Sequence, residues 1–267
     1  MAKRRHRHPQ EGEATMRNVK RVTATSLKSN LRQKNLSLLF LGLAIGISVM
    51  MIVLIAPSAI GDKVGEGLPW EETKSDLELA FGILLYLTSF MPMGMSILVF
   101  TVDPMIKEKA KGSIESLLAT PLRPRDVWQA KALAAFLPGF VIGMVFTALT
   151  LVSLNYLWVV PEANHFVLTL PIALITFILV PAITFGLSLL TTLIALTSNP
   201  NLANIIGIGA MVLIPALLPN LGFRGIIDFS GGFMWINLGI AFVLGIAIVL
   251  LRSRLTKEMI VLSSKGS

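Results

Sequence analysis

Long charge-free runs alternate with short polar segments along this chain. The runs are Asn35–Gly61, Leu79–Val102, Ala132–Pro161, Ala163–Phe223 and Phe229–Leu251. Each exceeds the ~20 apolar residues that a helix needs to cross the hydrocarbon core of a bilayer. The longest has room for two helices and divides at Thr197-Ser-Asn-Pro-Asn201, where polar residues and Pro200 make a tight turn. The pattern therefore predicts six spans, centred near Ile47, Thr88, Val145, Phe177, Ala210 and Gly245. None of the runs alternates in the manner of a barrel strand. Backbone groups in lipid must be paired within the segment, so the spans are expected to be helices.

Orientation follows from the basic residues between the runs. Residues 1–36 carry ten, the 102–131 loop six and the tail after Leu251 four, whereas the opposite connections hold only Lys63, Lys74 and Arg224. This places both termini in the cytoplasm. It also accounts for the net charge of +8 as an orientation signal, so no nucleic-acid partner is expected. Composition agrees: 54% of the 267 residues are hydrophobic and only 14% charged, against about 25% charged in soluble domains. With no cysteine, thiolate metal sites and cysteine nucleophiles are excluded. Basic Met1–Pro9 is followed by no short apolar stretch with a cleavage site, so the first span is expected to direct insertion.

The organisation expected from these patterns is all-α. Residues 1–16 form a disordered basic tail, in which His6 and His8 belong to a solvated surface rather than a metal site. Residues 17–36 form an amphipathic cytoplasmic helix entering the first span, with Val19, Val22, Leu27 and Leu31 loosely on one side. Residues 37–252 are the six-span domain, and 253–267 a cytoplasmic tail. Leu217–Trp235, apolar but broken by Pro219, Gly222, Gly225, Gly231 and Gly232, is either a re-entrant element or an interfacial loop. Arg224 and Asp228 stand within it at i, i+4 spacing.

The 103–131 segment reads as a built object. Asp103 is expected to cap a helix whose first residue is Pro104. Ile106, Ala110, Ile114, Leu117 and Leu118 recur along one face, and Lys107, Glu108, Lys109, Lys111 and Glu115 occupy the rest. Thr120-Pro121 and Pro124 stop the helix before a new one opens near Arg125. A short amphipathic helix beneath a membrane either docks into a groove on a partner or rests on the lipid surface.

The run from Ile106 to Leu122, with Lys131 downstream, resembles the signature of the ABC-2 family of transporter permeases. Glu108, Lys109, Gly112, Ser113, Ile114, Glu115, Leu117, Leu118, Thr120, Pro121, Leu122 and Lys131 match that signature. The six-span layout and the cytoplasmic helix before the first span are similar too. Where the family often has a lysine–glutamate pair in that helix, this chain has Lys28-Ser29. The resemblance implies a non-enzymatic permease subunit in the cell membrane, working as a homodimer or heterodimer and driven by separate cytoplasmic ABC ATPase subunits. The loop would be its coupling helix, seated in the ATPase through Glu108, Lys109, Gly112, Ile114, Glu115, Leu117, Leu118 and Pro121. No Gly-x-x-x-x-Gly-Lys-Ser/Thr loop occurs here, so no cofactor is expected in this chain and ATP with magnesium belongs to the partner.

Apart from His165 near an outer end, no Asp, Glu, Lys, Arg or His lies within a run. Ion-coupled carriers usually carry such groups at the midplane, so a secondary transporter is the less favoured alternative, and the expected cargo of an exporter is apolar or amphipathic. A membrane-embedded enzyme is the other alternative. Its best support, Glu71-Glu72, lies in a loop without a following arginine at the needed spacing. Met91, Met93 and Met95 read as packing rather than a copper site, because Met93 points away from the other two on a helix. Pro92, Pro138, Pro171, Pro181 and Pro215 are candidate kinks.

Overall fold

The computed structural model describes residues 8–62, 70–111, 122–198, 200–224, 231–256 and 258–261. Among the described residues there are helices and turns and no strand. Helix α1 (His8–Arg32) ends at Gln33, whose ψ of 75° breaks the helix, and α2 (Lys34–Gly61) follows at once. Then come α3 (Trp70–Ile97), α4 (Asp103–Ala110), α5 (Pro124–Val159), the one-turn α6 (Val160–Ala163), α7 (Leu170–Thr197), α8 (Pro200–Phe223) and α9 (Gly232–Leu251).

Five segments are long and apolar enough to cross a membrane: Lys34–Gly61, Glu72–Lys109, Pro124–Val159, Leu170–Thr197 and Gly232–Leu251. The continuous apolar part of α8, Asn201–Leu217, is shorter. The expected division of Ala163–Phe223 is present, with α7 ending at Thr197, Ser198 extended, and α8 starting at Pro200. Large apolar side chains face outward along the bundle, among them Leu38, Leu54, Ile205, Val212, Phe242 and Leu250. Such a surface is stable against lipid and not against water. The chain is an all-α, multi-pass membrane protein.

α3 is the hub, packing on α2, α5, α7 and α8, while α9 packs on α7 and contributes the least buried span. The core between them holds Tyr86, Phe90, Met93, Phe136, Ile183 and Phe233. Because lipid is as apolar as this core, close helix approach depends on small residues at the crossings. Gly139 and Gly143, one turn apart on α5, supply it. A Cβ on Gly139 would collide with Ser96 Oγ and lie 3.0 Å from the backbone Cα of Met93. Met93 itself is fully buried against Gly143, with the Thr184 hydroxyl 3.5 Å from its sulfur, a packing role.

Proline placement explains most of the irregular turns. Four of the five π-helical turns among the described residues, Met51–Ile55, Leu98–Val102, Asn155–Val159 and Ile175–Leu179, end two residues before a proline: Pro57, Pro104, Pro161 and Pro181. The fifth, Pro57–Gly61, has none at that position. A proline ring clashes with the carbonyl four residues back and brings no N–H to it, and a wider turn relieves the crowding. Of the five prolines expected to mark kinks, only Pro181 has such a turn. Pro92, Pro138 and Pro215 sit inside continuous α-helix, and Pro171 lies in the first turn of α7.

Three expectations need correction. Asp103 is not a helix cap: the π-helical turn Leu98–Val102 carries α3 straight into α4, so Pro104 is tolerated by widening rather than by a helix start. Helicity begins at His8, upstream of Arg17. From Val19 on, the fully buried positions of α1 are Thr23 and Asn30, with Val19, Val22 and Leu27 partly buried and Leu31 half exposed. Leu217–Trp235 does not form a separate element in its described parts, since α8 runs through to Phe223 and α9 begins at Gly232. Arg224 Nε donates to Asn220 Oδ1 at 2.9 Å, and Asp228 lies outside the described residues.

Candidate functional site

The described part of the signature lies at the end of the bundle where the basic residues gather. The Glu72–Lys109 segment counts 38 residues, about 57 Å at 1.5 Å per residue, so it overruns a ~30 Å hydrocarbon core. The excess carries α4 beyond the charge-free stretch that stops at Val102. On α4, Met105 and Lys109 turn into the bundle, 2% and 5% exposed, whereas Ile106 and Lys107 face outward. Of the expected ridge, Ile106 thus faces away from the spans, while Ile114, Leu117 and Leu118 lie outside the described residues.

Two polar contacts fix α4. Lys109 Nζ donates a 2.7 Å hydrogen bond to the backbone carbonyl of Ser198, in the turn between α7 and α8. Helix ends leave carbonyls without donors, and an ammonium is a strong replacement. Burial lowers the Lys109 ammonium to about 8. Beside it, Glu108 forms an ion pair with Lys131 of α5, whose side chain is only 10% exposed. The neighbouring turns of α5 are tied down as well. Trp128 Nε1 donates to the Leu189 carbonyl at 2.8 Å, and the Ser188 hydroxyl donates to the Ala132 carbonyl at 2.8 Å. The base of α3 is therefore joined through α4 to α5 and to the α7–α8 turn.

Of the signature residues, Glu108, Lys109 and Lys131 converge here. Gly112, Ser113, Ile114, Glu115, Leu117, Leu118, Thr120 and Pro121 lie outside the described residues. Sequence reasoning missed Ser198, Trp128, Asn30 and the Phe100 carbonyl. Only the last two carried a signal: Pro104 removes the N–H that Phe100 needs in an α-helix, so a donor had to come from elsewhere. At the other end of the bundle His165 stacks on Trp70, ring centroids 4.3 Å apart, and remains exposed. Among the described residues no group of three or more His, Asp or Glu side chains is placed to hold a metal ion.

Neither the curated proteins nor the solved structures contain a match to this chain. The family model described as "ABC-2 family transporter protein" matches residues 9–232, which takes in α1, the signature loop and α8. A match of that extent, over an all-α bundle with Glu108, Lys109 and Lys131 gathered at one end, makes the chain a member of the ABC-2 family, a membrane permease of the ABC transporter class.

Proposed function

We propose that the chain is the permease subunit of an ATP-driven exporter. It crosses the membrane six times, with α8 as the fifth span and the basic end in the cytoplasm. At 24 residues α8 is about 36 Å long, enough for a crossing when Pro219 and its neighbours are included. Two permease subunits and two ATPase subunits make up the working transporter, and the ATPase seats on the loop that begins at α4. The carrying observation is the anchorage of α4 by Lys109 and Glu108, to Ser198 and Lys131. Switching a two-state gate from ~1:99 to ~99:1 takes about 5.5 kcal/mol of differential interaction. A loop fastened to three helices transmits such a bias, whereas a loose one dissipates it.

The cargo is apolar or amphipathic and neutral where it passes, because the runs forming the spans contain no Asp, Glu, Lys or Arg. ATP and magnesium bind on the partner. Co-purification tests the reading: the chain is expected to bring down an ATPase subunit carrying a phosphate loop, and alone to hydrolyse no ATP. ATP turnover by the purified chain, tracking with it through mutation, overturns the proposal.

A further inference from the structure

Pro104 leaves the carbonyl of Phe100, four residues earlier, without its helical donor. Asn30 of α1 fills the gap: its Nδ2 donates to the Phe100 carbonyl at 3.4 Å, with Asn30 5% and Phe100 4% exposed. The fold uses a related device once more, at the carbonyl five residues before Pro181. Val180 N–H is taken by Ile175, Pro181 has none, and the Ser89 hydroxyl donates to the stranded Thr176 carbonyl at 3.1 Å. That second contact joins two spans inside the bundle. The Asn30 contact instead joins α1 to the base of α3, where α4 begins.

α1 has a second attachment one to two turns upstream. The Thr23 hydroxyl donates to the Ala130 carbonyl at 3.4 Å, on α5 and adjacent to Lys131. The two attachments thus straddle the Glu108–Lys131 ion pair, one on the α3 side and one on the α5 side. A small cleft lined by Ser26, Asn30, Phe100, Met105, Glu108 and Lys131 lies between α1 and that pair. If α4 shifts relative to α5, α1 cannot keep both contacts at their present length, and both are already long for hydrogen bonds.

We propose that Asn30 is a positioning residue: it straps α1 to the base of α3, so that α1 moves with the segment bearing Glu108 and Lys109. This rests on the permease reading above, in which the ATPase acts on that segment. The sequence signature is the pairing of an amide in α1 with a proline just after α3, and the function is to carry ATPase motion into the cytoplasmic helix.

The test uses the full transporter, chain plus co-purified ATPase, in liposomes. The chain has no native cysteine, so Lys20→Cys on the exposed side of α1 takes an environment-sensitive fluorophore as the only label. Addition of ATP and magnesium is expected to change its emission. Asn30→Ala should lower the Tm and reduce that change at least fivefold. In Asn30→Ala/Pro104→Ala the backbone N–H of residue 104 can serve Phe100, so the Tm should recover while the emission change stays lost. A double variant that recovers both shows that Asn30 only satisfies a carbonyl, and overturns the strap; so does an Asn30→Ala chain that responds like wild type. Failure of the wild-type chain to retain an ATPase is a separate outcome, which removes the permease reading and the strap with it.

Discussion

Lys109 and Ser198 stand 89 positions apart in the chain, yet the ammonium of the first donates a 2.7 Å hydrogen bond to the backbone carbonyl of the second. The bond closes the base of the bundle between α4 and the α7–α8 turn. It gives a signature lysine a structural task independent of any partner.

Lys109→Met is therefore expected to destabilise the chain by about 1.5–3 kcal/mol, the usual value of a charged hydrogen bond. Thermal unfolding in detergent reads the effect. Lys111→Met, on an exposed turn, should stay within about 0.5 kcal/mol of wild type. Equal Tm values for the two variants would show that the Ser198 bond carries no stability.

The Glu108–Lys131 pair is partly buried and calls for a charge swap. Glu108→Lys and Lys131→Glu should each impair folding and coupling, by placing like charges together. The double swap should recover part of the loss, with a coupling energy of about 1 kcal/mol. Strict additivity of the two single variants would mean that the pair contributes nothing.

Gly139 fixes how closely α3 and α5 approach. Gly139→Ala drives a methyl into Ser96 Oγ, with the Met93 backbone behind it, and should cost about 1–3 kcal/mol or more as the helices part. Gly245→Ala on α9 meets nothing within 4 Å and should be neutral or slightly stabilising. A Gly139→Ala chain as stable as wild type would contradict the packing of these two spans.

Orientation is accessible because the chain lacks cysteine. Single cysteines at Ser58 and Asn164 are expected to react with an impermeant thiol reagent from outside the cell. Cysteines at Ser113 and Ser253 should react only after the membrane is opened. Outside labelling at Ser113 would invert the topology and remove the proposed ATPase site from the cytoplasm.

For the docking surface, Glu115→Arg and Leu118→Asp are expected to weaken ATPase association by tenfold or more. The first reverses a charge in the proposed contact and the second places a carboxylate in an apolar one. Glu72→Arg, exposed at the opposite end, should leave association unchanged. Pull-down of the ATPase from reconstituted membranes compares the three, and wild-type binding by both loop variants would move the docking surface elsewhere.

What the sequence by itself determined is whatever each segment must satisfy alone. A helix in lipid pairs its own backbone, so the span-length apolar runs and the break at Thr197–Asn201 could be read without knowing any neighbour. The signature was legible for the same reason, being contiguous, and it led to the family. Tertiary structure decided which faces meet. Lipid and bundle core are equally apolar, so hydropathy could not say that α3 would be the hub and α9 peripheral, or that Gly139 rather than Gly245 would mark a crossing. It also decided that α1 turns Thr23 and Asn30 inward, between the partly buried Val19 and Leu27. The backbone carbonyls of Ala130 and Phe100 reward polar side chains there, and carbonyls left over by packing and by Pro104 leave no mark in the sequence of α1.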